Sequence, residues 1–125
     1  MTAKRDVGVY LDDILDAAGK AVQFTKGMSF DEFQRDERTS YAVIRALEIL
    51  GEAAKNVPDS VRRRAPELPW QDMAGMRDKL IHAYHGVDLA VVWKTVQDDL
   101  PGTMDSIRRV RRELNKLDPS ERSGR

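Results

Sequence analysis

Both histidines of this 125-residue chain fall in one short stretch, Arg77-Asp78-Lys79-Leu80-Ile81-His82-Ala83-Tyr84-His85, beside an arginine and a tyrosine. His82 is the natural proton-transfer group, because an imidazole with an ordinary pKa of about 6.5 both accepts and donates near neutral pH. Arg77 suits a phosphate: its guanidinium stays charged and holds two oxygens at once, which helps as negative charge builds on a pentacovalent phosphorus. The pair therefore suits cleavage of RNA by its own 2′-hydroxyl, a reaction that needs acid-base help and no metal and leaves a cyclic phosphate.

The spacing places these groups on a helix. Arg77 and Tyr84, seven apart, share one face, while Asp78, His82 and His85 form a second at spacings of four and three. Five residues amount to about 140° of rotation, so Arg77 and His82 diverge on a straight helix. A two-fold dimer that sets this helix against its copy would bring both pairs to one groove and supply two histidines for the acid and base roles. Blander readings stand beside this one. His82 or His85 would be favoured as an imidazolium at a helix C-terminus. Asp78, His82 and His85 form a sparse metal set with nothing else nearby, so no metal or other cofactor is expected.

Helices must position all of this. Val7, Leu11, Ile14, Ala18 and Val22 line one face of a first long helix, which Gly27 ends. Ser29 and Glu32 read as a capping box opening a short turn that carries Phe30 and Phe33. Val43, Ala46, Leu47, Leu50 and Ala54 mark a second long helix from about Thr39 to Asn56, closed by Pro58. Pro58, Pro66 and Pro69 leave room for one short helix around 59–65. The third main helix runs from Trp70 to about Tyr84 with Met73, Met76, Leu80 and Tyr84 inward, and Gly86 ends it. Asp88 caps a fourth, carried by Leu89, Val92, Trp93, Val96 and Leu100. Pro101 must kink or restart it, and the stripe resumes through Met104, Ile107, Arg111, Leu114 and Leu117, the Arg111 stem lying on apolar neighbours. Trp70 and Trp93 read as core. No segment alternates with period two, so the expected fold is all-α, an antiparallel up-and-down bundle of four main helices plus short connectors. It fills a single domain over 1–117, with 118–125 as a flexible tail.

Composition sets the limits. Hydrophobic residues at 41% and charged residues at 34% fit a folded soluble domain rather than a disordered or membrane chain. No signal peptide or membrane helix is readable, so the cytoplasm is expected, and the lack of cysteine excludes thiol chemistry. Twenty-one basic residues balance twenty-one acidic ones, so any contact with nucleic acid must be local. Two basic clusters, Arg62-Arg63-Arg64 and Arg108-Arg109 with Arg111-Arg112, read first as solvated helix faces.

From Val7 to about Leu117 the chain resembles the HepT-like proteins of the HEPN superfamily. The most specific element is Arg77-x4-His82-x-Tyr84, supported by the block 46–55, the run Leu68-Pro69-Trp70 leading to Met73-Ala74-Gly75, and then Val87-Asp88, Val92-Trp93 and Asp99-Leu100-Pro101. The resemblance implies a helical homodimer with a metal-independent endoribonuclease site at its interface, Arg77 and His82 forming the catalytic pair; Asp78 and His85, on the same helix as His82, are read as supporting residues. It further implies a toxin whose RNA substrates include tRNA as a candidate. The toxin would be silenced by a MntA-type nucleotidyltransferase antitoxin that adds AMP to Tyr84 and joins the dimer in a larger assembly. Phosphates added beside Arg77 would occupy the pocket meant for RNA. The family commonly has Asn after the arginine; here Asp78 would either orient His82 or repel RNA phosphate. The competing readings are a non-catalytic HEPN module that holds a nucleotidyltransferase and a ligand-free helical oligomerisation domain. Glu48 and Glu52 are left unassigned, as groove residues or as ion-pair partners of Arg45 and Lys55.

Overall fold

The structure, a computed structural model, describes residues 6–81 and 86–117, with the Ile81 side chain outside that description. Helices α1 (Val7–Phe24), α2 (Phe30–Arg35), α3 (Glu37–Lys55), α4 (Asp59–Arg62) and α5 (Trp70–Ile81) come first. They are followed by α6 (Leu89–Lys94), a π-helical turn (Thr95–Asp99) and α7 (Leu100–Asn115). No strand occurs among the described residues, so the all-α expectation holds.

Local chemistry fixes most boundaries. Asp6 caps α1 by accepting from the Gly8 N–H at 2.7 Å. Ser29 and Glu32 exchange the two bonds of the expected capping box. Asp36 starts α3 two residues before the Thr39 expected from the apolar stripe, because its carboxylate accepts from both the Thr39 N–H and the Thr39 hydroxyl. Those bonds hold its pKa below the usual value. Asp88 caps α6 as expected. Gly27 and Gly86 both take positive φ, 80° and 102°, where a side chain would be strained.

Pro101 acts one turn earlier than its position suggests. It has no N–H to offer the Gln97 carbonyl, and the ladder widens ahead of it, the Leu100 N–H reaching back five residues to the Thr95 carbonyl. The helix then restarts with Pro101 in its first turn, where a missing donor costs nothing.

The core joins one face of each long helix: Leu11, Ile14 and Ala18 of α1, Val43, Leu47 and Leu50 of α3, Ile107, Val110 and Leu114 of α7, all essentially inaccessible. Helix α3 sits between α1 and α5, and α1 also packs on α7. Polar contacts fix the directions. Gln97, just before α7, donates to the Thr25 hydroxyl just after α1 at 2.9 Å, and Arg111 near the far end of α7 reaches Asp12 near the start of α1 at 3.0 Å. The two helices are therefore antiparallel. Trp70 is buried in the core at the head of α5 with its indole N–H on the Ala65 carbonyl, whereas Trp93 is only partly buried and packs against that core on Phe33 and Phe30.

Candidate active site

Arg77 owes its place to a glycine on the neighbouring helix. At Gly51 the backbones of α3 and α5 approach so closely that a Cβ there would stand 2.8 Å from the Arg77 nitrogen and 3.0 Å from the Met73 carbonyl oxygen. Only a residue without a side chain permits that crossing. One residue further along α3, Glu52 forms an ion pair with Arg77, its Oε1 standing 3.2 Å from Nε, and the Asp78 carboxylate stands 3.6 Å from a terminal guanidinium nitrogen. The Arg77 side chain remains 40% exposed, enough for an incoming phosphate to reach it.

The guanidinium lines a polar cleft of about 520 Å³ whose walls come from α1, α3 and α5. Tyr10 and Asp13 stand on one side; Arg45, Glu48, Glu52, Lys55 and Asn56 supply the other. Three carboxylates face three cations there, so the cleft is not a broad basic trough. Arg45 pairs with Glu48 at 3.2 Å, one of the ion pairs allowed by their spacing, whereas the partner of Glu52 is Arg77 on another helix. A second groove, of about 440 Å³, lies between α5 and α6 and is mostly apolar, with Met73, Met76, Leu80, Val91 and Val92 in its wall.

Of the residues singled out by sequence, Arg77 and Asp78 lie within the described structure and are in contact. His82, Tyr84 and His85 lie outside the described residues, as does the segment 118–125. Among the described residues no group of three or more His, Cys, Asp or Glu is placed to hold a metal ion. None of the described helices is long and apolar enough to cross a membrane.

The basic clusters are largely engaged within the fold. Arg62 donates to the Ala54 and Val57 carbonyls, finishing the C-terminal end of α3, and its guanidinium lies over Trp70. Arg109 donates to Glu67 at 2.9 Å and to the Arg64 carbonyl at 2.7 Å. The Arg109 contact, together with hydrogen bonds from the Glu67 backbone and the Ser106 side chain, pulls Glu67 down to about 2, and Glu67 in turn raises Arg109. Arg111 packs over Gly8 and pairs with Asp12 and Asn115, so its head group is held rather than merely wet. Sequence reasoning missed the Glu52–Arg77 pair. Its one available signal was Gly51, a helix-weakening residue inside an otherwise regular stripe, which marks a close approach by another element.

A family model described as ribonuclease HepT-like matches residues 14–110. This chain belongs to the HepT-like ribonuclease family. It is 50% identical over 109 residues to a Thermococcus cleftensis protein provisionally named ribonuclease HepT, covering 87% of this chain and 99% of that one. Two Methanocaldococcus jannaschii proteins provisionally named as RNases are 39% and 41% identical, over 92% and 90% of this chain and 95% and 97% of their own lengths. No solved structure matches.

Proposed function

We propose that this HepT-like protein is a metal-independent endoribonuclease whose catalytic pair is Arg77 and His82, working at the interface of a homodimer. The observation that carries this reading is the place of Arg77. A half-exposed guanidinium is fixed by a backbone-to-backbone helix crossing at the wall of a polar cleft, five residues before a histidine on the same chain. Family membership supports RNA as the substrate.

Neutral His82 takes the proton from the ribose 2′-hydroxyl as the 2′-oxygen bonds to phosphorus. Arg77 holds the non-bridging oxygens while the bond to the 5′-oxygen breaks, and a protonated His82 from the second copy gives that oxygen its proton. The products are a 2′,3′-cyclic phosphate and a 5′-hydroxyl. One histidine must be neutral and the other charged, so the rate against pH is bell-shaped.

The protein serves as the toxin of a toxin-antitoxin pair in the cytoplasm, with tRNA among its candidate substrates. A MntA-type nucleotidyltransferase silences it by adding AMP to Tyr84, and the resulting phosphates compete for Arg77. The decisive experiment incubates the purified full chain with RNA in EDTA. Wild type should cut, and His82→Ala and Arg77→Ala should each lose about a hundredfold or more in rate. Intact RNA with wild type, or equal cutting by His82→Ala, overturns the assignment. Co-expression with the nucleotidyltransferase should add AMP mass to wild type and none to Tyr84→Phe.

A further inference from the structure

We infer that Glu52 is a positioning residue for Arg77: its carboxylate holds the Nε edge of the guanidinium so that the terminal edge is the one presented to the phosphate of RNA. This rests on the ribonuclease reading above and adds a residue to it.

An arginine can grip a phosphate in two ways, side-on through Nε and one terminal nitrogen or end-on through both terminal nitrogens. Its four flexible torsions leave that choice open in solution. Here Glu52 forms an ion pair with its Oε1 3.2 Å from Nε, so a carboxylate already stands at the edge that a side-on phosphate would approach. The Glu52 backbone is set by its neighbour Gly51, where α3 passes so near α5 that an added Cβ would stand 2.8 Å from the Arg77 nitrogen and 3.0 Å from the Met73 carbonyl oxygen. Both ends of the pair therefore spring from one rigid crossing, and little conformational freedom remains to be lost when RNA binds. The Asp78 carboxylate lies 3.6 Å from the terminal nitrogen NH1, a looser approach that a phosphate can displace. Glu52 is itself half-exposed, so its removal leaves no buried void and should not unfold the chain.

An orienting carboxylate and an obstructing one give opposite results when removed. If Glu52 aims Arg77, its loss lowers kcat while KM stays level or falls, because a negative charge near the phosphate has gone. If it merely blocks Arg77, its loss raises kcat/KM.

The test uses the full chain with a 5′-fluorescein single-stranded oligoribonucleotide for turnover and its 2′-O-methyl counterpart, which cannot be cut, for binding. Glu52→Ala should lose about a hundredfold in kcat and Glu52→Gln, which keeps an acceptor oxygen, about tenfold. Affinity for the 2′-O-methyl strand and the melting temperature should stay near wild type. In ¹⁵N spectra the Arg77 Nε–H should be visible and slow to exchange in wild type and lost in Glu52→Ala. Unchanged kcat in Glu52→Ala with an active wild type, a gain in kcat/KM, or an Nε–H that survives the substitution overturns the inference alone. A wild type that leaves RNA intact instead removes the ribonuclease reading and this inference with it.

Discussion

Gly51→Ala is the most demanding probe of the crossing that sets Arg77. The added methyl would lie 2.8 Å from the Arg77 nitrogen, 3.0 Å from the Met73 oxygen and 3.3 Å from the Arg77 Cβ. The first of these is roughly half an ångström inside ordinary van der Waals contact, and two of the three atoms are backbone, which cannot rotate away. Two effects compete. Alanine gains about 1 kcal/mol over glycine in a helix interior, and overpacking costs about 1–3 kcal/mol, here toward the upper end because a helix rather than a side chain must move. The net loss should be about 1–2 kcal/mol, lowering Tm by about 4–8 °C in a chain of this size. The same half-ångström shift falls on Arg77, so kcat for RNA should drop by about tenfold or more. Calorimetry and turnover of the labelled oligoribonucleotide measure the two effects. A variant that melts at or above wild type and cuts at full rate would refute the claim that this crossing is tight and that it aims the arginine.

Trp70→Phe should cost about 2–3 kcal/mol in urea unfolding with an unchanged m value, since it shrinks a buried ring and leaves the Ala65 carbonyl without its indole donor. Glu67 predicts a pH effect. Its carboxyl falls from an ordinary 4.5 to about 2 in the folded chain, chiefly through Arg109, so its contribution is fully present above about 4.5 and is lost as pH falls toward about 2. Glu67→Gln should flatten the acid limb of stability across that window, and added salt should shrink the difference because the pair is exposed.

Much of the fold is legible in the sequence because its signals are local. The stripe from Val7 to Val22 and the one from Val43 to Ala54 follow from helical geometry alone, and the caps at Ser29 and Asp88 need only a side chain and a backbone three residues away. Asp36 shows the limit of the stripe as a ruler: the cap decides where α3 begins, and the first apolar core residue comes several positions later. The π turn before Pro101 is harder to read, because proline announces a missing donor without saying whether the chain answers by kinking, stopping or widening. Within the site, Arg77 is legible as a phosphate-binding type at a telling distance from His82. Its tie to Glu52 is not, because residues 25 positions apart meet only after two helices choose a crossing point.

In the proposed ribonuclease, that crossing would also account for how a chain with no net charge handles a polyanion. Arg62, Arg64, Arg109 and Arg111 are engaged with carboxylates and main-chain carbonyls, and these contacts tie α3, α4, α7 and the loop before α5 into one body. Positive charge spread over such a surface would draw in any nucleic acid, whereas charge paired within the fold draws in little. Arg77 differs from them in geometry more than in its counter-charges. It too has acidic neighbours, and it is no more exposed than Arg109, but it stands in the wall of the polar cleft with its backbone pinned opposite Gly51. Affinity at such a site comes from a few aimed hydrogen bonds. In the proposed dimer two copies would aim them at one phosphate, so selectivity would be set by the shape of the shared groove and not by the charge of the whole molecule.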